Sequence, residues 1–360
     1  MREPDFDQLL HVLRRQKPDR PVLFEFALNG DVFNLFAGGP PANSGDPLDW
    51  TRHVIRGFAG GGYDYAMTPG SNFGFPGGEK SRQTRQEHHA KSISQNEGAV
   101  ISDWETFKQY PWPDPDAADY SRLEKLAADL PGNLRLIVNG PGGVLENAIK
   151  LVGYENLCVM TLADPGLADE LFAAIGSRLV RYYQRCALYD TVGALVGNDD
   201  WGFRSQTALS PAGMRRFVFP WHRQIVEVIH AAGKPAILHS CGNLSAVWDD
   251  LIDGIGYDAK HSYEDAIQPV EEAYEQYGSR ISVLGGIDVD FLCRSTPEAI
   301  RARAQAMLER AAGRGGYALG SGNSIPSYVP IENYLAMVSA ANPGVAPLIE
   351  SLNTAKAIHR

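Results

Sequence analysis

The chain has 360 residues, 44% hydrophobic and 21% charged, which is ordinary globular composition with enough apolar material for a large core. A formal net charge of −10 and a pI near 5.4 weigh against nucleic acid or an anionic membrane as the main partner, since both select basic faces, and leave a small molecule or another protein. Four cysteines (Cys158, Cys186, Cys241, Cys293) lack framework spacing, residues 1–7 are acidic without an apolar h-region, and no stretch reaches the ~20 apolar residues of a membrane span, so a cytoplasmic protein with free thiols is expected.

Eight short apolar runs alternate with amphipathic stretches and end in Gly, Pro, Asn or Asp: 21–28, 63–68, 134–139, 194–198, 235–239, 257–260, 281–285 and 317–320. Helical patterns such as 297–312 lie between them. Strand–helix alternation of this length and spacing predicts an α/β fold, a TIM-type (β/α)8 barrel forming a single domain over 1–360. A doubly wound sheet gives a similar alternation. A polar stretch, 71–131, rich in Gly, Gln, Asn and charge, reads as an insertion after the second strand, either a lid over the site or surface decoration.

In a barrel of this kind the chemistry belongs at the strand C-termini. The candidates there are Glu25 in the first run, Asn139 closing the third, Asp199, Asp200 and Trp201 closing the fourth, and His239 and Cys241 closing the fifth. His261 follows the sixth, Asp288 the seventh and Asn323 the eighth. His239-Ser240-Cys241 carries the sharpest signal. Residues i and i+2 of a strand face one way, so an imidazole and a thiol converge as they would on a thiophilic metal such as zinc. The plainer reading is a His and a Cys that share a turn and bind nothing. Asp199 and Asp200 should point to opposite sides, one toward the site and one capping a helix or pairing with Arg204. Asp288 reads as a substrate contact or as the cap of the helix that follows it. Glu25 lies in an apolar run, where an acid is costly unless it coordinates or pairs. Gly140-Pro141-Gly142-Gly143 lacks the Lys-Ser/Thr of a phosphate loop and is a tight turn. His88-His89 lack the spacing of a helical metal motif and read as surface.

Several ordered segments carry a family resemblance. They are Asn139-Gly140-Pro141 with Val152-Gly153-Tyr154-Glu155-Asn156, Asn198-Asp199-Asp200-Trp201-Gly202-Phe203, and Leu209-Ser210-Pro211 leading to Phe219-Pro220-Trp221. They continue with His239-Ser240-Cys241-Gly242-Asn243, Gly285-Gly286-Ile287-Asp288, and Gly315-Gly316-Tyr317 followed by Pro330-Ile331-Glu332-Asn333. From the region of residue 130 onward the chain resembles the uroporphyrinogen decarboxylase superfamily, which also contains the methylcobamide:thiol methyltransferases. The resemblance implies a TIM-type barrel with its site at the strand C-termini, often paired as a homodimer.

Two chemistries follow from the resemblance. The decarboxylases use an early arginine-rich segment and an aspartate ending the second strand; here those segments read Phe24-Glu25-Phe26-Ala27-Leu28-Asn29-Gly30 and Met67-Thr68-Pro69-Gly70. Lys80, Arg82 and Arg85 are the nearby cations for a carboxylated substrate. The methyltransferases hold zinc with a His-x-Cys pair and a later cysteine near the eighth strand. His239 and Cys241 match the pair, whereas the later segment reads Gly320-Ser321-Gly322-Asn323-Ser324, which leaves Glu25 or His261 as the replacement donor. The resemblance thus implies a zinc-dependent methyltransferase moving a methyl group from a methylcobamide, bound to a corrinoid protein, to a thiol or related acceptor. Asp199, Asp200 and His261 would position or activate the acceptor, with Asn139, Trp201, Asp288 and Asn323 lining the cavity. The alternatives are a carboxy-lyase on a carboxylated substrate, with His239 as acid or base, and a non-catalytic ligand- or corrinoid-binding barrel.

Overall fold

A computed structural model describes residues 2–77, 96 and 98–358, without the side chains of 353–358. Lys80, Arg82, Arg85, Glu87, His88 and His89 lie outside the described residues. Seven strands, β1 (Tyr65–Pro69), β2 (Arg135–Asn139), β3 (Val192–Asn198), β4 (Ala236–His239), β5 (Ala259–His261), β6 (Ser282–Leu284) and β7 (Tyr317–Ala318), form one parallel sheet in sequence order. Helices such as Pro165–Ala187, Phe219–Ala231 and Pro297–Ala311 connect them. Both faces of the sheet are covered, so Ile137, Val138, Leu195, Val196, Ile237 and Leu238 are all buried, which is why these strands read as unbroken apolar runs.

The first of the eight expected strands is not one. Residues 21–28 meet the end of the sheet only through isolated parallel bridges, Leu23 to Leu319 and Leu28 to Ile325. Phe24 N–H donates to the Leu319 carbonyl and Leu319 N–H to the Val22 carbonyl, each at 2.8 Å. On the other side, where a ladder to β1 would form, the Tyr65 hydroxyl lies 2.6 Å from both the N–H and the carbonyl oxygen of Glu25. A side chain has taken the backbone groups that a strand would use.

Within the 71–131 segment, the helix Trp104–Gln109 is capped by Asp103, and Ile101, Tyr110, Tyr120 and Leu123 are buried in the main core. The register across the middle of the sheet fixes the site. Asn198 pairs with His239, and His239 with His261, so three strand ends stop at one level.

Candidate functional site

His239 and Cys241 leave the end of β4 on the same side, and Asp200 reaches them from the loop after β3. His239, Cys241 and Asp200 each offer a donor atom, and these atoms lie within 4.8 Å of one another. His239 Nε2 is 4.0 Å from Cys241 Sγ, and the Cys241 N–H donates to Asp200 Oδ1 at 2.8 Å. The loop that brings them together needs Gly242, whose φ is +87° and where a Cβ would stand 2.1 Å from the Gly202 carbonyl oxygen.

The His239 ring is held at its face and at its edge. Phe26 stacks on it at 4.1 Å between centroids, and its Nδ1 lies 2.8 Å from His261 Nδ1. One of those two nitrogens must carry the hydrogen. With it on His239, Nε2 keeps a free lone pair toward Cys241. Burial pushes both histidines below the ordinary range, with the Lys260 charge adding to it and, for His261, the neighbouring His239. Both are therefore neutral at pH 7, the state in which imidazole ligates a metal. His261 Nε2 is buried without a hydrogen-bond partner of normal geometry, although the Ser321 carbonyl beside it favours the charged form.

The sulfur has its own partners. Ser262 Oγ and Asn323 Nδ2 each lie 3.3 Å from Cys241 Sγ, and Asn323 Oδ1 accepts from Ser324 N–H at 2.7 Å, which aims the amide NH2 at the sulfur. Burial first, and the Asp200 charge second, push the Cys241 thiol up to about 12. Cys241 would hold a cation there as the thiolate, since a bound cation favours the deprotonated sulfur.

An imidazole nitrogen, a thiolate and a carboxylate make a three-donor set of the kind catalytic zinc uses, with a fourth position left for a ligand. Zinc bonds of about 2.0 Å to nitrogen and about 2.3 Å to sulfur at a tetrahedral angle would put N and S about 3.5 Å apart, roughly half an ångström closer than the 4.0 Å found here. Asp200 is exposed while His239 is buried, so the open side faces solvent. The residues fit such an ion.

Glu25 does not join this group. Its carboxylate accepts from Ser321 N–H at 2.8 Å and lies 2.6 Å from Ser321 Oγ, which also rests on the Asn323 carbonyl. A serine hydroxyl has one hydrogen for those two acceptors, so a proton on Glu25 completes the set. Burial points the same way, raising Glu25 to about 8 against the pull of Ser321. The two aspartates part company. Asp199 is fully buried and accepts from Leu145 N–H, Glu146 N–H, Trp201 Nε1–H and the His222 ring, anchoring the helix Val144–Val152. Trp201 is packed on Phe219 and His222 with no exposed surface. Asn139 ends β2 half-buried, its amide on the Gly140 carbonyl. Asp288 caps the helix Val289–Arg294 through Phe291 N–H and also accepts from Asp265 N–H. Cys293 is half-buried on that same helix, apart from the donor group.

A cavity of about 600 Å³ lined by Glu264, Asp288, Asp290, Asn323 and Tyr328 opens beside Asn323. Sequence reading assigned no role to Phe26, Ser262, Lys260 or Glu146. Lys260 is enclosed and lowered to about 8 by burial; Glu146 is raised by burial and by the charges of Asp199 and Asp200. Asp258 precedes Lys260 by two positions and His261 follows it, so nothing local marks that lysine as a buried cation.

A family model described as uroporphyrinogen decarboxylase (URO-D) matches residues 95–343. Uroporphyrinogen decarboxylases from Chloroflexus aurantiacus and Sorangium cellulosum are 27% and 28% identical over 187 and 180 residues, covering 49% of this chain in each case. The chain thus matches about half the length of these curated relatives, 49% and 48% of each. Among solved structures, a methyltransferase from Methanosarcina mazei aligns over 94% of this chain and 98% of its own, with a TM-score of 0.64 at 15% identity, a likeness of fold. Since the model spans well over half of the sequence, the chain belongs to the uroporphyrinogen decarboxylase (URO-D) family.

Proposed function

We propose that this protein is a zinc-dependent methyltransferase that moves a methyl group from a methylated corrinoid, carried by a partner protein, to a thiol or related acceptor, on a closed TIM-type barrel. The observation that supports this reading is the convergence of His239, Cys241 and Asp200 within 4.8 Å. Zinc held there would keep an acceptor thiol deprotonated at neutral pH. Such a transfer would break the cobalt–carbon bond with its electron pair left on cobalt, form the sulfur–carbon bond and release the thiol proton to solvent. His239 offers Nε2 because His261 holds its other nitrogen. Asp200 fixes the Cys241 backbone, and Asn323, which donates to the sulfur, also lines the neighbouring cavity.

The same cavity weighs against a polycarboxylate substrate. Among the described residues its charged lining groups are Glu264, Asp288 and Asp290, which repel carboxylates that would need cations to be desolvated. The test is to mix the zinc-supplemented protein with methylcobalamin and small thiols and follow loss of the methyl-corrinoid spectrum. Cys241→Ser should slow the transfer by about 100-fold or more with the circular dichroism unchanged. An unchanged rate in that variant, or carbon dioxide release from a carboxylic acid without methyl transfer, would defeat the reading.

A further inference from the structure

Ser262 stands immediately after β5 with φ +84°, a left-handed conformation that L side chains rarely adopt. Strand alternation would send its side chain to the outer face with Lys260, away from His261. The left-handed turn instead carries its hydroxyl inward, to 3.3 Å from Cys241 Sγ. Such a residue costs on the order of 1–3 kcal/mol and persists only where its surroundings hold it.

Lys260 helps to hold it, beside the Tyr263 N–H, which donates to the Gly322 carbonyl at 2.9 Å. This lysine is only 3% exposed, its ammonium donates to the Ser262 carbonyl, and it lies over the rings of Tyr263 at 4.2 Å and Trp248 at 5.7 Å. A buried ammonium without an acceptor is costly, so the Ser262 carbonyl is drawn outward and the side chain of the same residue is turned toward the sulfur. Asn323 donates from the other direction at the same distance.

We infer that Lys260 is a positioning residue for the Cys241 sulfur, acting through Ser262, and that Ser262 and Asn323 together form a two-donor cradle that stabilises the sulfur as a metal-bound thiolate. This rests on the metal reading above. Partners outside the ligand set commonly change metal affinity by about 10–100-fold when removed.

Ser262→Gly separates the cradle from the fold, because glycine accepts the left-handed conformation but brings no hydroxyl. The full chain, its Ser262→Gly and Lys260→Met variants and the double variant would be titrated with zinc against a chromogenic chelator. Each would also be loaded with cobalt(II) to read the sulfur-to-cobalt charge-transfer band. Ser262→Gly should bind zinc about 10–100-fold more weakly, with a shifted band and equal or higher thermal stability. Lys260→Met should lose a similar factor by itself and add little when combined with Ser262→Gly, since both act on one contact.

Zinc affinity and band unchanged in Ser262→Gly, in a parent that binds metal, would overturn the cradle and leave the metal reading standing. Fully additive losses would show that Lys260 does not work through Ser262. A parent that binds neither ion would sink the metal reading and this inference with it.

Discussion

Glu25 is a carboxyl group in full burial whose hydrogen bonds require a proton, and its stability effect has a definite sign. Its folded value of about 8 lies above the ordinary 4.5, so between those values the folded chain holds a proton that the unfolded chain releases. The contribution is fully present below pH 4.5 and is lost as the pH rises toward 8. Glu25→Gln keeps an acceptor for Ser321 N–H without the titration, so its stability advantage over the parent should grow by about 1 kcal/mol per pH unit across that window. Urea melts at pH 5, 6.5 and 8 measure this; a constant gap would mean that Glu25 is ionised in the fold. The same variant should retain bound metal, whereas Asp200→Asn should lose it. At this scale the sequence showed His239 and Cys241, since strand alternation alone sets them side by side. It named Glu25 or His261 as the third donor and gave Asp200 a different role, because the choice depends on where the loops after β3 and residues 21–28 come to rest.

At the scale of elements, β1 to β7 were readable from the apolar runs, because a parallel sheet covered on both faces writes burial continuously into its sequence. Residues 21–28 looked the same and are not a regular strand. The difference lies in Tyr65, forty positions away, whose hydroxyl takes both backbone groups of Glu25. Ser262 was unreadable for a similar reason, since nothing local marks a serine for a left-handed turn. The seam between residues 21–28 and β7 depends on Gly320, where a Cβ would stand 1.7 Å from the Phe24 carbonyl oxygen. Gly320→Ala should therefore destabilise by about 2 kcal/mol or more in thermal or urea melts. Gly313→Ala, with nothing within 4 Å of the added carbon, is the control and should stay within about 1 kcal/mol of the parent. Equal melts for the two variants would remove the argument that this contact fixes the seam.

For the whole molecule, the fold and the family follow from ordered segments spread over much of the chain, and among the described residues no helix is long and apolar enough to cross a membrane. The chemistry turns on whether the three donors at the end of β3 and β4 hold an ion. Binding of metal to the folded state alone would raise the melting temperature in proportion to the logarithm of free metal, an effect Cys241→Ser should abolish. The most direct measurement is elemental analysis of the purified, zinc-supplemented protein beside Cys241→Ser, His239→Ala and Asp200→Asn. One zinc per chain in the parent, falling sharply in all three variants, is the predicted result. A parent free of metal, or variants that keep it, would contradict the account.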